Sequence, residues 1–299
     1  MSSEAGTVSG IQVSEPSVTA PPLDDRLTAL RDKLLDSLRP LPSAAVAFSG
    51  GVDSAVVAQA AFLALGDRAV AVTGVSASLA SGELELARDI AQQIGIRHEV
   101  VRTDELARAG YVANSPDRCY HCKTELYTRL TELAPSWGVS ALLNGANLDD
   151  LGDYRPGMRA ASEFRVLSPL ADCGLNKADV RDLARHWNLP CSEKPATPCL
   201  SSRIAYGEQV TPERLARIDQ AEVFLRSLGL GEIRVRLHAG ELARIEVPLD
   251  VLPQLAQPAT REQITTHLKS LGFRFVTLDL QGFRSGSLNS LLTLSKSPS

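Results

Sequence analysis

Residues 44–48 (Ala-Ala-Val-Ala-Phe) form an unbroken apolar run, the pattern of a strand buried on both faces. The run ends in Ser-Gly-Gly, and residues 53–65 follow with helical character. Residues 69–75 predict a second strand. The spacing over 81–94 predicts a helix, with Ser81 as N-cap and Gly95 just past its end. Residues 97–101 predict a third strand, 123–134 a helix and 141–144 a fourth strand. Strands alternating with helices predict an α/β fold, a parallel sheet with helices on both faces. Further on, Asn176 is placed to cap a helix running to Trp187, which Pro190 stops. Residues 191–200 contain Pro195 and Pro198 and read as loop. Thr211-Pro212-Glu213 opens a helix that closes at Gly229. The pattern then changes to strand 232–238, a turn at Gly240, strand 242–247, helix 260–271 and strand 273–278. The short turn predicts an antiparallel hairpin within a small α+β unit. The expected division is a tail at 1–25, a nucleotide domain at 26–207, a substrate or oligomerisation domain at 208–284 and a flexible tail at 285–299.

Composition narrows the setting. The chain is 44% apolar and 22% charged, as in ordinary globular proteins. Its net charge of −4 argues against a general polyanion binder, so nucleic acid is not the expected partner. No run of eighteen apolar residues occurs, so no membrane association is expected. Five cysteines, an odd number in a large chain, argue against a disulfide framework and for a reducing, cytoplasmic setting. Residues 1–22 lack Lys, Arg and an apolar core, so a signal peptide does not fit.

Four stretches carry candidate chemistry. In Ser49-Gly50-Gly51-Val52-Asp53-Ser54, between a buried strand and a helix, two glycines allow close backbone approach to an anion. The helix N-terminus offers amides and a positive dipole end, the serines add hydroxyls, and Asp53 is suited to hold Mg²⁺ against a phosphate. The plain alternative is a strand-to-helix turn with Asp as a cap. The second stretch, 144–157, crowds carboxylates and amides near glycines, with Gly145, Asn147, Asp150 and Arg155 as candidates. Like charges so close need a cation or donors, and Mg²⁺, Arg155 and Arg159 are available. A solvated acidic loop is the alternative. Lys177, opening the next helix, is placed to hold a leaving pyrophosphate, or is simply an exposed first-turn lysine.

The third is the cysteine set. Cys119 and Cys122 form a C-x-x-C ahead of a helix, and Cys199 lies in a proline-bounded loop near Ser202 and Arg203. The three suit zinc with a fourth ligand such as His121, or an Fe–S cluster with one iron open, or each is a small buried hydrophobe. Cys173 and Cys191 read as core. The fourth is the strand 233–238, whose alternation puts Arg234, Arg236 and His238 on one face, an anion site or a solvated face neutralised by Glu246. Glu222 is expected to face the same cleft, or to be an ordinary surface Glu.

SGGVDS resembles the PP-loop of the N-type ATP pyrophosphatases, which cleave ATP to AMP and pyrophosphate and so adenylate a substrate. The order of RCYHCK (118–123), NGANLDDLGDYRPGMRA (144–160), SPL (168–170), KPATPCLSSRIAYGE (194–208) and RVRLHAGELARIEV (234–247) is similar to the LarE sulfur transferases. That resemblance covers roughly 27–280. It implies adenylation of a pyridinium biscarboxylic acid mononucleotide and replacement of AMP by sulfur, in building the nickel-pincer nucleotide of lactate racemase. One version of the family sacrifices the sulfur of a single cysteine. The other carries sulfur on a 4Fe–4S cluster held by three cysteines, and this sequence resembles that version through Cys119, Cys122 and Cys199. The implied cofactors are ATP, Mg²⁺ and the cluster, and a homo-oligomer is expected. Alternative readings are a tRNA thiolation enzyme, an amide-forming synthetase of the NAD or GMP type, and a non-enzymatic ATP sensor.

Overall fold

The computed structural model describes residues 22–152 and 156–284. Its first element is helix α1 (Asp25–Leu38), whose Asp24 cap accepts the Leu27 amide at 2.7 Å. Then come β1 (Ala44–Ala47), α2 (Val52–Leu65), β2 (Ala69–Val75), α3 (Glu83–Ile94) and β3 (Arg97–Arg102). The short α4 (Ala109–Val112), α5 (Arg118–Leu133), β4 (Ala141–Leu143), α6 (Pro156–Glu163), α7 (Pro169–Cys173) and α8 (Lys177–His186) complete the first unit. The second holds α9 (Pro212–Ser227), β5 (Arg234–His238), β6 (Leu242–Glu246), α10 (Leu252–Ala256), α11 (Pro258–Ser270) and β7 (Phe275–Leu278).

The expected α/β architecture is present. Strands β3-β2-β1-β4 form a wholly parallel sheet in that order. Alternation along β1 sends Ala44 and Val46 to a core with α1, α2 and α8, and Ala45 to a core with α5 and α6. Helix α2 is buried nearly all round, being covered by the sheet and by α1, α3 and α8. The sheet winds outward from β1 through β2 to β3, then returns to place β4 on the other flank of β1. Open α/β sheets bind ligands in the crevice at the carboxyl ends of two such strands. Both motif-bearing loops, 48–51 and 144–147, leave the sheet there.

The second unit is a mixed sheet, β5-β6-β7, with β5 and β6 antiparallel as expected and β7 parallel to β6. Its core takes in Ala80, Tyr111, Leu200 and Ile204, so it reaches across the sequence boundary drawn near 207. Ile204 also bridges to Leu237, which fixes loop 199–203 on the small sheet.

Several element starts differ from the sequence reading. Helix α3 begins at Glu83, not Ser81, because Ser81 spends its amide (3.0 Å) and hydroxyl (2.5 Å) on Asp219 of α9. Helix α5 begins at Arg118, which puts Cys119 and Cys122 inside the first turns rather than ahead of the helix. Helix α1 has no counterpart among the expected elements, although Leu27, Leu34 and Leu38 are buried along one face.

Candidate functional site

Loop 48–51 is braced by its own side chains. The Ser54 hydroxyl donates to the Gly51 carbonyl at 2.9 Å and accepts the Ser49 amide at 3.2 Å. Gly50 has φ +69°, and a Cβ there would stand 3.1 Å from the Ala87 Cα on α3. No side chain caps α2 at Gly51, so its first-turn amides are not taken up by a cap. That arrangement fits an anion.

The β4 loop presses against it. A Cβ on Gly145 would lie 2.8 Å from the Ser54 amide nitrogen, so only glycine allows this approach. Asn147 donates its side-chain amide to Asp53 at 3.1 Å, and Lys177 forms an ion pair with the other Asp53 oxygen. Asp150 accepts the Asn147 amide at 3.0 Å, and Asp149 accepts the Lys177 amide at 2.9 Å. Backbone donors thus meet part of the crowded negative charge. Arg159 stacks 3.7 Å over Tyr120 and pairs with Glu163 at 3.7 Å. Arg155 lies outside the described residues.

The Cys199 thiol lies close enough to Cys119 and Cys122 to oppose their ionisation. The Leu200 amide donates to Ser78, just past β2, at 2.9 Å, and Arg118 donates to the Ser201 carbonyl at 2.8 Å. Loop 199–203 is therefore tied to the sheet edge and to the first turn of α5. Burial pushes the Cys122 thiol up to about 12, with Cys199 adding to the effect. Burial opposes the charge on Lys123, but Tyr127, Cys122, Cys119 and Cys199 outweigh it and raise its pKa. All five cysteines are free thiols. Among the described residues no three His, Cys, Asp or Glu side chains are grouped around one metal ion, so the single-zinc arrangement has no ligand set there. The His121 ring instead covers Gly110, where a Cβ would come within 2.1 Å of Nε2.

The arginine face of β5 is covered, not solvated. Arg234 and Arg236 are buried and Glu246 is fully so. Arg236 pairs with Glu246 at 2.9 Å and donates to the Ser202 carbonyl at 2.9 Å. Arg234 donates to Ala196 at 3.1 Å, and burial, reinforced by Arg203, lowers its pKa. His238 stands at the strand end with Nε2 unpartnered. Glu222 is not a cleft-lining or surface carboxylate. It is fully buried, pairs with Arg203 at 3.0 Å and accepts the Val235 amide at 3.0 Å. Arg203 in turn donates to the Pro198 carbonyl, to Cys199 at 3.2 Å and to the Ser202 hydroxyl at 3.1 Å. Glu222 thus acts on the Cys199 loop through Arg203.

Several residues here have no assigned role in the sequence reading. Arg118 and Lys123 flank the C-x-x-C, and pairs 118/122 and 119/123 are one helical turn apart. That periodicity is visible in the sequence once α5 is started at 118. Glu105, buried with Ser78 donating to it at 2.5 Å, has no signal in the sequence pattern.

A family model described as "QueC: Queuosine biosynthesis protein QueC" matches residues 43–122. The chain is 47% identical over 253 residues to the uncharacterized protein slr1717 of Synechocystis sp., covering 85% of this chain and 94% of that one. It is 38% identical over 268 residues to the pyridinium-3,5-bisthiocarboxylic acid mononucleotide synthase of Lactiplantibacillus plantarum, covering 89% and 96%. A shorter likeness, 33% over 189 residues, is to the tRNA-specific 2-thiouridylase MnmA of Azorhizobium caulinodans, covering 50% of this chain and 48% of that one. The shorter match leaves half of each chain unpaired, whereas the two longer ones span most of both. Together with the braced loop at the β1–β4 crevice, they show that the chain belongs to the LarE-type family of PP-loop, ATP-dependent sulfur transferases.

Proposed function

We propose that this protein adenylates a carboxylate of a pyridinium biscarboxylic acid mononucleotide and exchanges AMP for sulfur, giving a thiocarboxylate for a nickel-pincer nucleotide of the lactate racemase type. The observation that supports this most is that one loop, 191–203, runs from the phosphate-type crevice past Cys199 to the buried arginines. The product of such a reaction is also what the printed name of the Lactiplantibacillus relative describes.

In this reading Ser49, Gly50, Gly51, Val52 and Ser54 hold the phosphates through amides and hydroxyls. Asp53 takes the Mg²⁺ of Mg–ATP and so releases Lys177, whose ammonium turns to the leaving pyrophosphate. Gly145, Asn147 and Asp150 keep Asp53 in place. A substrate carboxylate oxygen attacks the α-phosphorus, the bond to the β-phosphate oxygen breaks, and pyrophosphate leaves. Sulfur then attacks the acyl carbon and AMP departs. Arg155 and Ser202 are assigned to the anion side that orients the mononucleotide, while the buried Arg203, Arg234 and Arg236 hold loop 196–203 beneath it, with Glu222 positioning Arg203.

Cys119, Cys122 and Cys199 would hold the 4Fe–4S cluster. All three are free thiols, and their number suits a cluster with one iron left without a protein ligand. When bound, it supplies transferable sulfide at the iron without a protein ligand. Arg118 and Lys123 place positive charge beside those sulfurs. We assign units 26–207 and 208–284 to nucleotide and to substrate or oligomer contacts, and a cytoplasmic setting suits the free thiols.

The test is to incubate anaerobically reconstituted protein with Mg–ATP, sulfide and the biscarboxylic mononucleotide. Pyrophosphate release coupled to a thiocarboxylate product is expected. Pyrophosphate release with no sulfur entering the mononucleotide would overturn the assignment.

A further inference from the structure

A second lysine stands at the phosphate crevice, unused by the scheme above. Lys194 pairs with Glu83 at 2.7 Å, with both side chains largely buried. Glu83 is the first residue of α3, and α3 follows β2 in the parallel sheet. Its N-terminus therefore lies at the carboxyl edge, the edge from which loop 48–51 emerges. The contact is close: Gly50 abuts Ala87, and Ala87 is one helical turn from Glu83 on the same face, about 6 Å along the axis. Cys191, three residues before Lys194, lies in the fields of both Lys194 and Asp53.

The two lysines are held alike. Lys177 rests on Asp53 in the first turn of α2, and Lys194 rests on Glu83 in the first turn of α3. A carboxylate at a helix N-terminus is favoured by the dipole, so each lysine has a ready counter-ion while no phosphate is bound. A triphosphate carries more negative charge than one carboxylate and competes for both.

Lys194 also belongs to the loop that bears Cys199. Arg181 of α8 grips the Ser192 carbonyl and donates to the Lys194 carbonyl at 3.1 Å. From the other side Arg234 donates to the Ala196 carbonyl at 3.1 Å. The loop is thus anchored before and after Lys194, while the lysine's own side chain rests on a counter-ion at the crevice.

We propose that Lys194 is a second phosphate-binding lysine, which leaves Glu83 for the polyphosphate of ATP and so links nucleotide occupancy to the Cys199 loop. The proposal rests on the ATP reading above and adds to it a residue and an exchange of partners. A merely structural pair would need both members equally. A phosphate-binding lysine with a competing counter-ion needs only itself.

The experiment measures binding of a non-hydrolysable ATP analogue and of AMP by calorimetry, with Mg²⁺, to the full chain and to Lys194→Gln, Lys194→Arg and Glu83→Gln. Lys194→Gln is expected to weaken the analogue about tenfold to a hundredfold, the range of one charge-assisted contact, and AMP far less. Lys194→Arg should recover most of that loss. Glu83→Gln should bind the analogue as tightly as the unaltered protein or more tightly. Equal weakening in Lys194→Gln and Glu83→Gln would overturn the proposal and make the pair a structural tie. So would undiminished analogue binding in a folded Lys194→Gln. If the unaltered protein bound neither nucleotide, the ATP reading itself would fail, an outcome distinct from both.

Discussion

The buried Arg203–Glu222 pair shows how far a side chain can act from the chemistry it serves. Arg203 is 1% exposed and Glu222 not at all, and the guanidinium gathers the Pro198 and Cys199 carbonyls. Removing one partner of a buried pair leaves the other charge with too few donors, at a cost of about 3–5 kcal/mol. Arg203→Ala is therefore expected to lower stability by that order in urea denaturation, since among the described residues Glu222 keeps the Val235 amide and a longer contact to Arg226 at 3.4 Å. A loss under about 1 kcal/mol would show that Glu222 tolerates burial without it. Asp53→Asn tests a different role. Its side chain is partly exposed, so the fold should survive while pyrophosphate formation is lost; normal turnover in the folded variant would remove Asp53 from the site. The glycines, Asp53 and Lys177 are legible because their chemistry is local in sequence. The burial of Glu222 and Arg236 is not. Alternation tells which residues share a face, and only tertiary packing tells whether loop 196–202 covers that face.

At the scale of the element, helix α8 is legible because its start is written in its own residues. Asn176 accepts the Asp179 amide at 3.0 Å and Asp179 accepts the Asn176 amide at 3.2 Å, a reciprocal cap. Helix α5 reads short in the sequence because Asp117 makes no side-chain cap and Cys, Tyr and His are weak helix formers. The α8 cap has a pH consequence. Burial alone would raise the Asp179 pKa, but Arg26 and the Asn176 amide outweigh it and hold the carboxyl below its usual range. A depressed folded pKa contributes stability above the unfolded value, about 3.9, and that contribution is lost as pH falls through the folded pKa. Asp179→Asn is thus expected to cost about 1–2 kcal/mol at pH 7, the range for a helix cap. The gap between variant and unaltered protein should close as pH drops below about 4. A gap unchanged between neutral and acid pH would mean that the carboxylate charge contributes nothing.

For the whole molecule, the crevice between β1 and β4 follows from the order of strands and helices, because apolar runs and helix stops fix a doubly wound sheet. That the Cys199 loop lies against the first turn of α5 does not follow from pattern. The link is Arg118, reaching from α5 to the Ser201 carbonyl, and no local rule predicts a contact across 83 positions. The three cysteines allow two routes for the sulfur, which experiment separates. If Cys199 gives up its own sulfur, the chain loses the mass of one H₂S at that residue in a single turnover. Cys119→Ala and Cys122→Ala would then leave the first turnover intact. If the three thiols share a cluster, Cys199 keeps its mass, added sulfide supports many turnovers, and each of the three alanine variants is equally damaging. The cluster reading proposed above expects the second outcome. Mass spectrometry of the protein after anaerobic turnover reads the difference directly. Full activity in Cys119→Ala and Cys122→Ala, with the H₂S mass missing at Cys199, would return the sulfur to the protein's own side chain.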